Sequence, residues 1–294
     1  MSDAPEVHGR GVSDALVWRE ALADTEAALG SARDARLLCE HAAGLSASEF
    51  AAALGEPVTQ RMALHLHEMI RRRLTGEPVQ YVMGRRAFRH LDLLVDRRVL
   101  IPRPETEQVA QVALQFARAA TPRVVVDLGT GSGAIGLSLA QELPLDHTTV
   151  WMTDASLDAL DVARANAAGL GRAAANVRIA QGNWYAALPA SLRGTVDVVV
   201  SNPPYIANND PDTHPDVFAH EPHEALFAGD DGLAALCVVV GEAHEWLRPG
   251  GVLVVEIGHQ QGAAVHAMCE AARLRELEVL RDYSGHERIV TARR

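Results

Sequence analysis

Val124-Val125-Val126-Asp127-Leu128-Gly129-Thr130-Gly131-Ser132-Gly133-Ala134-Ile135-Gly136 is the stretch that decides the fold. A short apolar run bounded by a turn reads as a buried parallel strand, and the glycines lead into a helix predicted over 134–141. Glycine admits positive φ and lets a ligand approach the backbone, while the helix start adds free N–H groups. Gly131-x-Gly133-x-x-Gly136 formally satisfies the dinucleotide fingerprint, so a nicotinamide or flavin enzyme is one reading. The next strand, expected over 149–153, delivers Asp154 near the position of an acid that binds a ribose diol. NAD and S-adenosylmethionine share that diol. Asp127 helps to separate them, because just before the turn it would repel a pyrophosphate. S-adenosylmethionine has no phosphate but carries a sulfonium and an ammonium, which a nearby acid suits. A carboxylate that ties down the loop through backbone N–H bonds is a second reading of Asp127, compatible with the first.

Downstream, the apolar run 196–201 ends in Asn202-Pro203-Pro204-Tyr205. That places the tetrapeptide at the carboxyl end of a strand, where open α/β sheets keep their active sites. An Asn side-chain oxygen and a free backbone carbonyl can each accept one N–H bond from a planar –NH₂ group. Together they orient a delocalised nitrogen and stabilise the positive charge that develops on it during attack. Consecutive prolines stiffen the backbone and lack N–H groups, and Tyr205 offers a flat face for stacking. The bland alternative is a Pro-Pro turn leaving a strand.

Taken together, Asp127 to Gly133 with Asn202 to Tyr205 resemble the class I S-adenosylmethionine-dependent methyltransferases that modify exocyclic or amide nitrogens. Further segments narrow the match: Gly76 to Tyr81, Leu100 to Glu107, His220-Glu221-Pro222 and Asp282 to Arg288. In that order they resemble the protein-(glutamine-N5) methyltransferases of bacterial peptide chain release factors, well over 60–294 and more weakly before. The resemblance implies a Rossmann-like sheet with a terminal antiparallel hairpin, S-adenosylmethionine as cofactor, and the glutamine of a Gly-Gly-Gln tripeptide as substrate. It assigns the cofactor to Asp127, Gly129, Thr130, Gly131, Ser132, Gly133, Asp154, Asn183, Trp184 and Asn202, and catalysis to Asn202, Pro203, Pro204 and Tyr205. Arg103 and Glu107 are expected at the edge of the site or in an ion pair. One departure stands out, since related enzymes usually carry an acid where this chain has Asn183. Asn183 keeps an acceptor but brings no charge. Trp184 either borders the adenine or fills the core between strand and helix. Three other activities share these motifs: glutamine methylation of a ribosomal protein, adenine N6-methylation of DNA or RNA, and nicotinamide-dependent oxidoreduction.

Composition points to a cytoplasmic enzyme. The 294 residues can bury a substantial core, no apolar stretch is long enough to span a bilayer, and Met1 to Arg10 is polar. Cys39, Cys237 and Cys269 are widely spaced, and the 13 histidines show no metal spacing, so no metal is expected. All 27 basic residues are Arg, in a chain of net charge −11. Residues 71–103 nevertheless hold nine Arg against three acids. That cluster reads as a solvated helix end and hairpin, or as a landing strip for an acidic protein partner. The acidic total argues against a duplex nucleic acid.

The expected organisation is a disordered tail (1–12), a helical domain (13–76), a β-hairpin connector (77–103) and the methyltransferase domain (104–294). Helices are read at 13–29, 32–43, 46–54 and 59–74, with Ser46-x-x-Glu49 at capping-box spacing. Met62, Leu64, Leu66, Met69, Ile70 and Leu74 are expected to form a broad buried face. Alternation over 79–100 reads as the hairpin, and 207–215 as a polar loop that shapes a substrate entrance. From 104 on, helices are expected at 105–119, 156–168 and 232–247, and strands at 177–180 and 252–257. The chain then closes with the hairpin 277–292.

Overall fold

Short-range signals build the first elements as read. The computed structural model describes residues 16–121, 123–208, 210 and 219–294. The tail expected over 1–12 lies outside them, as do 209 and 211–215 of the polar loop. Two compact units divide the chain, one ending at Met83 and one running from Gly84 to Arg294. The first holds α1 (Trp18–Leu29), α2 (Ala32–Ala43), α3 (Ala47–Ala52), α4 (Gln60–Arg73) and α5 (Val79–Met83). Ser46 and Glu49 form the full capping box: the Ser46 oxygen accepts the Glu49 amide, and the Glu49 carboxylate accepts the Ser46 amide. Trp18 and Phe50 meet edge to face in a core shared with Leu38, Cys39, Leu66 and Met69.

Two expectations fail here. Leu64 is 65% exposed and Leu74 61% exposed. At about 100° per residue Leu64 lies roughly opposite Leu66 on α4, and Leu74 is the C-cap, beyond the last helical turn. Val79–Met83 is helical, so the hairpin is shorter than its alternating pattern, with β1 (Arg85–Phe88) and β2 (Leu91–Leu94) turning at Arg89 and His90.

In the second unit α6 (Thr106–Arg118) precedes five parallel strands: β3 (Arg123–Leu128), β4 (Thr148–Asp154), β5 (Val177–Gln181), β6 (Val196–Ser201) and β7 (Leu247–Glu256). Between them run α7 (Ala134–Glu142), α8 (Leu157–Gly169) and α9 (Ala234–Trp246); α10 (Gly262–Ala271), absent from the sequence reading, follows β7. Arg248 to Gly251, ahead of the strand expected at 252–257, lie within β7 at a register shift against β6. The strand order is β5-β4-β3-β6-β7-β9-β8, where β8 is Arg275–Arg281 and β9 Glu287–Arg293. The expected terminal hairpin is present, but β9 slots between β7 and β8, antiparallel to both. β3 continues outward to β4 and β5 on one side, while β6 lies on the other. The order of strand addition therefore reverses between β3 and β6, and a crevice opens above their carboxyl ends.

Candidate active site

The turn after β3 is held from beneath by Asp127, which is buried at the strand end. One of its oxygens accepts both the Thr130 hydroxyl (2.6 Å) and the Gly136 amide (2.9 Å). Burial outweighs these bonds and pushes its carboxyl up to about 6. Gly136 is required by close approach, since a Cβ there would sit 2.5 Å from the Met152 Cγ. Asp127 thus ties down the loop and does not line the crevice, and Thr130, Ser132 and Gly133 do not line it either.

Asp154, at the end of β4, does line it. Its two oxygens accept the amides of Gly131 and Ser156, each at 2.9 Å, and burial raises its pKa. Each oxygen keeps a further lone pair for a ligand. Gly129, Gly131, Asn183, Trp184, Asn202 and Pro204 complete the expected residues on the walls of this cleft. Trp184 fills the core, as one of its two readings had it, and it also lines the cleft. Its indole packs on the sheet core, and it crowds Gly129, where a Cβ would lie 3.2 Å from the ring.

Asn202 points its amide nitrogen at the Thr106 hydroxyl, 3.1 Å away. Pro203 is buried beneath the turn. Tyr205 faces a neighbouring trough with Gly258 and Gln261, and its hydroxyl donates to Glu256 at 3.2 Å. The back of the turn is braced by Gln261, whose amide donates to the carbonyls of Tyr205 (3.0 Å) and Gly232 (3.2 Å). Gly232 adopts φ 72°, and a Cβ there would meet the Tyr205 carbonyl at 2.4 Å, so only glycine fits. Arg103 and Glu107 line neither the cleft nor the trough; Arg103 pairs with buried Glu221, which also accepts the Ile101 amide.

Thr106, Glu256, Gln261 and Gly232 escaped the sequence reading. Glu256 left one signal, an acid closing the otherwise apolar run Val252–Val255. Most arginines of 71–103 are paired with acids of this chain. Arg71, Arg72 and Arg73 bind Glu68, Glu77 and Asp34, while Arg85, Arg89, Arg98 and Arg103 bind Asp92, Glu142, Asp96 and Glu221. Among the described residues no group of three or more His, Cys, Asp or Glu could hold a metal ion. No helix of theirs is long and apolar enough to cross a membrane.

Strand order, glycine turn and the acid ending β4 define a class I methyltransferase. The family model described as methyltransferase small domain matches residues 105–226, and the one described as PrmC N-terminal domain matches 18–84. The release factor glutamine methyltransferase of Burkholderia pseudomallei is 41% identical over 260 residues, covering 87% of this chain and 90% of that protein. Its counterpart in Bordetella pertussis is 42% identical over 256 residues, covering 87% and 92%. The chain belongs to this family, the release factor glutamine methyltransferases. A solved methyltransferase from Pyrococcus furiosus shares the fold, with a TM-score of 0.51, 18% identity, and coverage of 76% of this chain and 96% of that one.

Proposed function

We propose that this enzyme transfers a methyl group from S-adenosylmethionine to the side-chain amide nitrogen of the glutamine in the Gly-Gly-Gln tripeptide of a peptide chain release factor, in the cytoplasm. One observation carries the reading: the Asn202–Pro204 turn and the Gly129–Gly131 loop with Asp154 open onto a single cleft. An acceptor for a planar nitrogen and a seat for a ribose therefore face each other.

The residues present fit the cofactor. Asp154 would take the diol, Trp184 and Asn183 would offer a flat and polar wall for adenine, and the Gly129–Gly131 backbone would face the methionine end. Arg98, the basic side chain on the wall, is already bound to Asp96. When bound, the cofactor supplies an electrophilic methyl group. The protein positions the nucleophile: the Asn202 oxygen and the Pro203 carbonyl accept the two N–H bonds of the glutamine amide and aim its nitrogen in line. As charge develops on that nitrogen the same acceptors stabilise it. The proton departs after transfer, once the nitrogen has become acidic, so no strong base is required. The prolines stiffen this edge, and Tyr205 braces it from the trough side through Glu256.

Incubation with a radioactive methyl donor tests the reading. Intact recombinant release factor should be labelled, and a factor whose Gly-Gly-Gln glutamine is replaced should not. Equal labelling of both, or of neither, overturns it.

A further inference from the structure

Glu256 closes β7 with 0% exposure, yet lines neither the cleft nor the trough. It stands between them. One of its oxygens accepts the Thr106 hydroxyl at 2.7 Å, and the other accepts the Tyr205 hydroxyl at 3.2 Å. The Thr106 oxygen in turn accepts from the Asn202 amide nitrogen at 3.1 Å. Two segments far apart in the chain thus converge on one carboxylate.

The direction of these bonds has a chemical consequence. An ionised carboxylate only accepts, so it fixes the Thr106 proton towards itself. The lone pairs left on Thr106 can then be met only by a donor. Asn202 must turn its –NH₂ to Thr106, which leaves its oxygen free on the other side. We propose that Glu256 is a positioning residue of the transfer site, which orients the Asn202 acceptor through Thr106 and holds the Tyr205 ring directly. This rests on the reading above, in which the Asn202 oxygen receives the substrate amide. Glu256 does not touch substrate and is not a base. Its task is to choose which end of the Asn202 amide faces the cleft.

Protonation would remove that choice. A neutral carboxyl can donate to Thr106, Thr106 can then donate to the Asn202 oxygen, and the amide is free to turn over. The charged and titratable groups facing Glu256 are Arg288 from β9, Tyr205 from the turn after β6, and Glu105 ahead of α6. Burial is the largest influence on the carboxyl and pushes it up to about 7, a value to which Glu105 adds and which Arg288 and Thr106 restrain. The wild-type methylation rate should therefore fall as pH drops through about 7.

Single-turnover methylation of a release factor by the full chain, with saturating S-adenosylmethionine, tests this. Thr106→Val removes the relay while keeping shape, and should slow transfer about tenfold, with S-adenosylmethionine Kd by calorimetry unchanged within about twofold. Thr106→Ser restores the hydroxyl and should recover most of the rate. Glu256→Gln should slow transfer and abolish the acid limb of the pH profile, and combining it with Thr106→Val should cost little more than either alone. Wild-type rates in Thr106→Val, equal losses in Val and Ser, or an acid limb surviving in Glu256→Gln would each overturn the proposal. The Thr106 pair carries the test independently of how Glu256→Gln folds. Asn202→Ala separates the two levels. If it transfers normally, the acceptor reading fails and the positioning role with it. If it is crippled while Thr106→Val is not, only the positioning role fails.

Discussion

At Asn202, replacement by Ala removes one of the two acceptors that hold the substrate nitrogen, while the Pro203 carbonyl and the turn remain. Turnover should fall on the order of 10²–10³-fold, with cofactor affinity dropping far less, as single-turnover rates and calorimetry would show. Asp154→Ala should do the reverse, weakening S-adenosylmethionine binding by about 1–3 kcal/mol in titration calorimetry. Part of that loss would come through the loop, because Asp154 also holds the Gly131 amide. Unchanged affinity in a folded variant would remove Asp154 from the cofactor seat. Glu256 has a consequence for stability as well as for rate. Its carboxyl is raised by burial from an ordinary 4.5 to about 7, so the stability this contributes is complete below pH 4.5 and lost as pH rises through 7. Glu256→Gln, which cannot ionise, should be the more stable protein at pH 8 by up to about 3 kcal/mol, and the gap should close by pH 4 in denaturant titrations. A slower but more stable variant would show that the fold carries this carboxylate for its activity.

Among the elements, the short hairpin β1–β2 shows how little of its own stability a two-stranded ribbon provides. It is seated by side chains. Asn166 of α8 accepts the Leu94 amide at 2.7 Å and donates to the carbonyls of Leu94 (3.0 Å) and Ser132 (2.8 Å), joining the hairpin to the glycine turn. At the hairpin's own turn Arg89 makes a two-pronged bond to Glu142 of α7, with both side chains only 12% exposed, and also reaches Gln111 and the Glu107 carbonyl. Arg89→Ala should therefore cost roughly 1–3 kcal/mol in denaturant unfolding, since it leaves the part-buried Glu142 carboxylate without its main partner. Arg85→Ala, which breaks the exposed pair with Asp92, should cost less than about 1 kcal/mol. Equal effects would mean that the Arg89 contacts do not anchor the hairpin.

Over the whole molecule, every described residue that lines the cleft lies between Arg98 and Ala225, within the unit that begins at Gly84. That unit holds the complete seven-stranded sheet and its own core. A fragment from Gly84 to Arg294 should fold and bind S-adenosylmethionine with affinity within about threefold of the full chain, measured by calorimetry. A fragment that folds but does not bind would show that the first unit is needed to complete the cofactor seat.

What the sequence determined by itself was everything written at short range. The apolar runs at 124–128 and 196–201, the glycine turn between strand and helix, the Ser46–Glu49 box and the Asn202–Tyr205 turn each carry their signal within a few residues. Backbone sterics and side-chain periodicity read such signals without knowledge of the rest of the chain. The terminal hairpin was legible for the same reason, but the placing of its last strand, β9, between β7 and β8 was not, because strand order is a choice among distant edges. Leu64 was misplaced where a broad apolar pattern was read without its helical phase. Only the tertiary structure decided the roles of the acids. Asp127 and Asp154 are equally plausible ligands on paper, yet one turns under the loop and the other faces the cleft. Thr106 and Glu256 stand 150 positions apart, and the sheet brings them to 2.7 Å. A buried polar group must find a partner wherever the fold supplies one, and that search has no period for a sequence to display.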